Sequence, residues 1–210
     1  TGPLKFVSGG DMGTGDATRK LMERAASEEP HFAVIGGDIA YANGSLSNVA
    51  RWDDWFTNWC DKMVTPNGFT IPAVLAIGNH EVNGSYGQTP TEAPFYFGFF
   101  AKEGKKSHFV RTFGSDLALL ILDTGHVTSH SGTQAAWLDQ ELGRQAQSRF
   151  KVAAYHVPLY PAHRSFNGTY SERVRTHWAP LFDRHGLTVG LENHDHVLKR
   201  THPLRNGAVD

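Results

Sequence analysis

Gly36-Gly37-Asp38-Ile39-Ala40-Tyr41 closes a short apolar run, Phe32-Ala33-Val34-Ile35. Such a run reads as a strand buried on both faces, as in a parallel sheet. The paired glycines let the backbone turn sharply at the strand's end. The turn sets a carboxylate at the carboxyl edge of the sheet, where open α/β folds place their ligands. Asp38 has two oxygens and can bridge two cations, and Tyr41 can offer a phenolate to one of them. Alone, the hexapeptide reads first as a strand-ending turn with a solvated Asp. The rest of the chain decides between these readings.

Outward from this stretch, strand-like runs alternate with helical patterns, which predicts a layered α/β fold of one domain over residues 1–210. Strands are expected at 4–7, 32–35 and 72–77, with a helix capped by Asp16 ending at Pro30. Between 46 and 63, Val49, Trp52, Trp55, Phe56, Trp59, Cys60 and Met63 recur at three and four, the pattern of an amphipathic helix with a Trp-rich face. Residues 82–98, rich in Gly, Pro and aromatics, read as an irregular binding loop. Strands at 108–112 and 117–122, a helix at 133–147, a strand at 150–155 and a helix at 171–185 follow. A strand at 187–191 and a final one at 197–204 complete the chain, which is expected to be a mature or excised piece lacking a last strand.

The 210 residues suffice to bury a core without disulfides or structural metals. A net charge of −1 gives no electrostatic case for nucleic acid or an anionic membrane. No apolar run approaches the roughly 20 residues a membrane span needs. The lone Cys60 excludes an internal disulfide and a Cys-rich zinc site. No Gly-x-Ser-x-Gly elbow or phosphate-loop Lys motif occurs, and Gly13-Thr14-Gly15 lacks the third glycine of a dinucleotide fingerprint.

Asp11, Asp38, Asn79-His80, His156 and the His194/His196 pair each follow an expected strand. Parallel strands end at one edge of a sheet, so these segments should meet on one rim. Carboxylate, amide and imidazole donors without thiolate suit zinc, manganese or iron. Two cations about 3.5–4 Å apart can hold a phosphate and lower the pKa of a water between them.

The order of motifs resembles the calcineurin-like metallophosphoesterases and, within them, the purple acid phosphatases. It runs Gly10-Asp11-Met12-Gly13, Gly37-Asp38-Ile39-Ala40-Tyr41, Gly78-Asn79-His80-Glu81, His156 at a strand end, then Asn193-His194-Asp195-His196. The resemblance implies a layered metallophosphoesterase-type fold, with mixed β-sheets of βαβ units flanked by helices. It implies two metal ions: iron held by Asp11, Tyr41 and His196, and iron, zinc or manganese held by Asn79, His156 and His194, with Asp38 bridging. It implies hydrolysis of phosphate monoesters by a metal-activated hydroxide, with His80 protonated beside the phosphate as the catalytic side chain. His163, Arg164 and Asn79 are candidate substrate contacts. Asn193 stands where the family has glycine; if that position needs a positive φ, Asn is the least costly alternative.

Two rival readings use the same residues: a phosphodiesterase or nucleotide hydrolase, and a non-catalytic metal-binding module. Loops 82–98 and 158–168, with Tyr86, Tyr96 and Tyr160, are expected to set the size of the leaving group. The partner is expected to be a small phosphorylated substrate, with neither nucleic acid nor membrane. A secreted or periplasmic location follows from the resemblance. Asn43, Asn83 and Asn167 open Asn-Gly-Ser/Thr sequons that are turns first and glycan sites only in a eukaryotic secretory route.

Overall fold

The computed structural model describes residues 2–100 and 106–210. Two sheets lie face to face. The first is parallel, with β1 (Phe6–Gly9), β2 (Phe32–Ile35) and β3 (Ala73–Leu75) in that order. The second is mixed: β4 (Phe109–Phe113) runs antiparallel to β5 (Leu117–Ile121), and β6 (Phe150–Ala154) and β7 (Val189–Leu191) follow in parallel.

The continuous apolar run of β2 has a direct cause. Phe32 and Val34 point between the sheets, against Leu119, Ile121 and Val152. Ala33 and Ile35 point the other way, into a core built with Trp52, Trp55 and Trp59. β5 divides in the same manner, with Leu117, Leu119 and Ile121 between the sheets and Ala118 and Leu120 outward. A strand with helices on one face and a sheet on the other has no solvent side, so period-two alternation vanishes. Phe32 also stacks on Phe6 and Phe113 at 5.3 and 4.6 Å.

Helices α1 (Asp16–Ala26), α2 (Ala50–Lys62) and the short α3 (Pro94–Phe99) cover the first sheet. Helices α4 (Thr133–Arg144) and α5 (Thr169–His185) cover the second through Leu138, Leu142, Val174 and Trp178. The order of layers is α/β/β/α. Full burial of each large apolar side chain in these layers contributes about 1.5–3 kcal/mol.

Four expectations need correction. Asp16 is the first residue of α1 rather than its cap; Gly15 holds the cap position, with no side-chain cap bond. The supposed irregular loop 82–98 contains α3, because Phe95, Tyr96 and Phe97 are buried against the Trp-rich core. The expected helix at 46–63 is a 3-10 turn, Leu46–Asn48, followed by α2. The expected strand at 197–204 does not form: only Leu204–Arg205 (β8) pairs, with Ala208–Val209 (β9), in a separate hairpin. Lys199 is tied instead to Glu192 at 2.6 Å and to the Tyr160 carbonyl, and Leu198 is fully exposed.

Candidate metal centre

The loops after β1, β2, β3, β6 and β7 meet at one end of the two sheets. Those after β1 and β2 are laced together by Asp11 N–H to Gly37 O, Met12 N–H to Asp38 O and Gly13 N–H to Ile39 O, at 2.8–3.0 Å. Gly37 has φ of 91°, and a Cβ there would lie 2.7 Å from Gly78 N. Only glycine allows the strand-end turns of β2 and β3 to approach this closely.

Asp11, Asp38, Tyr41, His194 and His196 all have φ between 53° and 71°. A non-glycine residue in this left-handed region costs about 1–2 kcal/mol. Such strain gathers where surrounding structure holds side chains in functional positions.

The side chains converge. Asp38 Oδ2 lies 3.1 Å from His156 Nε2. That nitrogen is also 3.0 Å from Asn79 Oδ1 and 3.0 Å from His194 Nδ1. Donor atoms of Asp38, His156 and His194 all fall within 4.8 Å of one another. On the other side, His196 Nε2 lies 3.2 Å from Asp11 Oδ1 and 3.2 Å from the Tyr41 hydroxyl. His194 N–H donates to Asp11 Oδ2 at 2.8 Å, joining the two groups. His80 Nε2 stands 3.9 Å from Asp38 Oδ2, and its ring lies 4.2 Å from that of Tyr41.

This donor set fits cations. Asp11 Oδ1 is buried with no hydrogen-bond partner among the described residues. His156 Nδ1 donates to the Gly36 carbonyl at 2.9 Å, so Nε2 faces the centre; burial works against a charge on the ring, but the hydrogen bond to Asp38 and its charge outweigh it and raise the pKa, so a cation bound there would displace the Nε2 proton. Burial, then the neighbouring His156 and Arg164, push His194 down to about 3, so its ring is neutral. Burial works against ionisation of Asp38, but its hydrogen bond to and attraction by His156 outweigh it and bring the carboxyl to about 2. Burial raises Asp11, and burial with the charge of Asp38 holds Tyr41 protonated; a bound cation would displace that proton.

His80 is under two opposed influences. Burial lowers its pKa more than Asp38 raises it, so the ring is not held protonated before an anion binds. Its Nδ1 lies 2.5 Å from Asn43 Oδ1, an acceptor that directs Nε2 toward the centre. Asn43, noted in the sequence only as a turn and sequon, is thus part of the site.

The substrate contacts divide. Asn79 sits among the donors. Arg164 reaches the site's edge, 3.3 Å from the His194 carbonyl and 3.6 Å from Asp195 Oδ1, and is half exposed. His163 is exposed, and among the described residues only its backbone N–H is engaged, with Asp195 Oδ2 at 3.0 Å. Tyr96 is fully buried and donates to the Leu75 carbonyl, so it does not line the site.

Asn193 corrects the argument made for it: the positive φ falls on His194 and His196, not on Asn193. Its amide fills the space left by two glycines. A Cβ on Gly36 would lie 1.6 Å from Asn193 Nδ2, and one on Gly10 2.6 Å from its Oδ1. The amide also donates to the Tyr155 carbonyl at 3.1 Å.

Glu81 carried no role in the sequence. Its buried carboxylate accepts the backbone N–H groups of Asp38, Ile39 and Gly78 at 2.7–2.8 Å. Burial, then the charge of Asp38, pushes it up to about 7. Its position three residues after Gly78 was the available signal.

An uncharacterised protein of Mycobacterium tuberculosis (strain ATCC 25618 / H37Rv) is 28% identical over 240 residues, covering 97% of this chain and 44% of that protein. Purple acid phosphatase 23 of Arabidopsis thaliana is 23% identical over 234 residues, covering 99% and 50%. The chain thus spans half or less of the length of these curated relatives. A structure of PhoD superposes with a TM-score of 0.61 at 14% identity, covering 90% of this chain and 50% of that one, which supports the layered fold. A family model described as calcineurin-like phosphoesterase matches residues 9–198. The chain belongs to the calcineurin-like phosphoesterase family and stands close to the purple acid phosphatases.

Proposed function

We propose that the chain hydrolyses phosphate monoesters at a pair of metal ions. Asp11, Tyr41 and His196 would hold an iron; Asn79, His156 and His194 would hold iron, zinc or manganese; Asp38 would be shared. The observation that carries this reading is the clustering of Asp38, His156 and His194 donors within 4.8 Å, beside a buried Asp11 Oδ1 that makes no hydrogen bond among the described residues and faces His196 Nε2 at 3.2 Å. When bound, two cations supply charge neutralisation for the phosphate and a water of lowered pKa.

The chain's own residues do the rest. His194 would present a lone pair because burial keeps its ring neutral, and His156, whose Nδ1 faces the Gly36 carbonyl, would exchange the Nε2 proton that Asp38 favours for a cation. His80, aimed by Asn43, takes a proton when an anionic phosphate arrives and gives it from Nε2 to the leaving oxygen. Arg164 places a guanidinium at the rim, where it would pair with a phosphate oxygen.

Elemental analysis of protein purified without added metal, with turnover of an aryl phosphate, tests this proposal. About two metal atoms per chain and hydrolysis in the wild type are expected. Loss of both is expected in Asp38→Asn, and loss of kcat with metals retained in His80→Ala. A fully metallated, active Asp38→Asn protein sinks the shared-carboxylate reading. An iron-loaded protein without a violet band that Tyr41→Phe removes sinks the iron assignment.

A further inference from the structure

The loop after β6 carries Arg164 to the edge of the metal centre, and it is fastened from two directions. From α5, Arg175 donates to the Leu159 carbonyl at 2.6 Å and the Phe166 carbonyl at 3.0 Å, and its guanidinium covers the Phe166 ring at 3.8 Å. Between those anchors, Asp195 Oδ2 accepts the backbone N–H groups of Ala162 and His163 at 2.8 and 3.0 Å. Asp195 stands between His194 and His196, so it joins this loop directly to the segment that carries two of the candidate ligands.

The second oxygen of Asp195 has a different task. The side chain is buried, and Oδ1 has no hydrogen-bond partner among the described residues. It faces Arg164 Nε at 3.6 Å. Nε and Nη2 of the same guanidinium lie 3.4 and 3.3 Å from the His194 carbonyl. One edge of the guanidinium is thus held by a carboxylate and a carbonyl. Its Nη1 has no hydrogen-bond partner among the described residues, and the side chain is half exposed, which leaves the other edge for an anion.

We infer that Asp195 is a positioning residue: one oxygen fixes the loop and the other fixes the Arg164 guanidinium, ready to meet a phosphate oxygen. This rests on the phosphoesterase reading above and adds how the rim cation is held. A free arginine side chain loses rotamer freedom when it pairs with an anion. One already held loses less, so more of the charge-assisted bond appears as affinity.

The test is Asp195→Asn in the metal-loaded protein. The amide keeps one oxygen for the Ala162 and His163 N–H groups and turns an NH2 toward Arg164, which releases the guanidinium. KM for an aryl phosphate should rise about tenfold, with kcat changed less than about twofold. Calorimetry should show inorganic phosphate bound about tenfold more weakly, with metal content as in the wild type. Arg164→Ala, at an exposed position, should match these values, and the double variant should be no weaker than Arg164→Ala alone. Wild-type KM and phosphate affinity in either single variant overturn the inference. So does an Asp195→Asn protein that loses metal or fold, or that loses phosphate affinity equally with and without Arg164. If the wild type is inactive on the ester, the phosphoesterase reading fails, and phosphate calorimetry alone decides for or against Asp195.

Discussion

The carboxylate of Glu81 holds the backbone of Asp38: its Oε2 accepts the Asp38 N–H at 2.7 Å, while its Oε1 takes that of Ile39 at 2.8 Å. The same Oε2 accepts the Gly78 N–H, so one buried side chain fastens the turns after β2 and β3 together. Truncation would leave three buried donors unpaired. An unpaired buried N–H costs about 1–3 kcal/mol, so Glu81→Ala should lose roughly 3–5 kcal/mol of stability. Denaturant titration with metal analysis checks this. A variant with wild-type midpoint and metal content would show that the turns do not depend on Glu81.

Asn43 gives His80 a neutral partner at 2.5 Å. Asn43→Asp would set a carboxylate there and favour the imidazolium. If His80 supplies the proton to the leaving oxygen, the basic limb of the kcat profile should move up by about one pH unit. Asn43→Ala should lower kcat, because Nε2 loses its aim. Identical pH profiles in wild type and Asn43→Asp would separate His80 from proton donation.

Gly36 and Asn193 are coupled through space. Gly36→Ala puts a methyl 1.6 Å from Asn193 Nδ2, and Gly10 closes off retreat on the other side. Overpacking of this kind costs about 1–3 kcal/mol, and it falls on the residue next to His194. Stability and metal affinity should both drop in Gly36→Ala and return in the double variant with Asn193→Gly. Additive losses in the double variant would mean that the two positions do not share the space.

His126 sets an acid limit on stability. It is fully buried, and burial brings its pKa to about 4 from an ordinary 6.5. The folded state then resists a proton that the unfolded state accepts. The stability it confers is complete above pH 6.5 and is lost as pH falls through 4, a difference of roughly 3 kcal/mol. His126→Asn should flatten the fall in thermal midpoint between pH 6.5 and 4. An equally steep fall in that variant would assign the acid sensitivity to other groups.

The parts read well from the sequence are those governed by local rules. The run at β2 and the turn carrying Asp38 could be placed because strand burial and glycine turns are set within a few residues. The parts missed depend on distant partners. Nothing near Tyr96 in the chain shows that its hydroxyl reaches the Leu75 carbonyl and its ring the core. Residues 197–203 have the apolar content of a strand, but Lys199 is anchored to Glu192. The left-handed geometry foreseen at Asn193 belongs to its neighbours, since backbone angles after β7 are set by the contacts of His194 and His196 with Asp11.

The amino-acid order by itself determined the alternation of strands and helices and the placing of acidic, amide and imidazole groups at strand ends, because periodicity and turn chemistry act locally. Tertiary structure alone decided how those groups face one another. It brought Asp11 to His196, Asp38 to His156 and Asn43 to His80, and it gave Glu81 three backbone donors from two turns. Such pairings depend on how two sheets pack and how closely glycine turns approach, which is a property of the assembled layers rather than of any single segment.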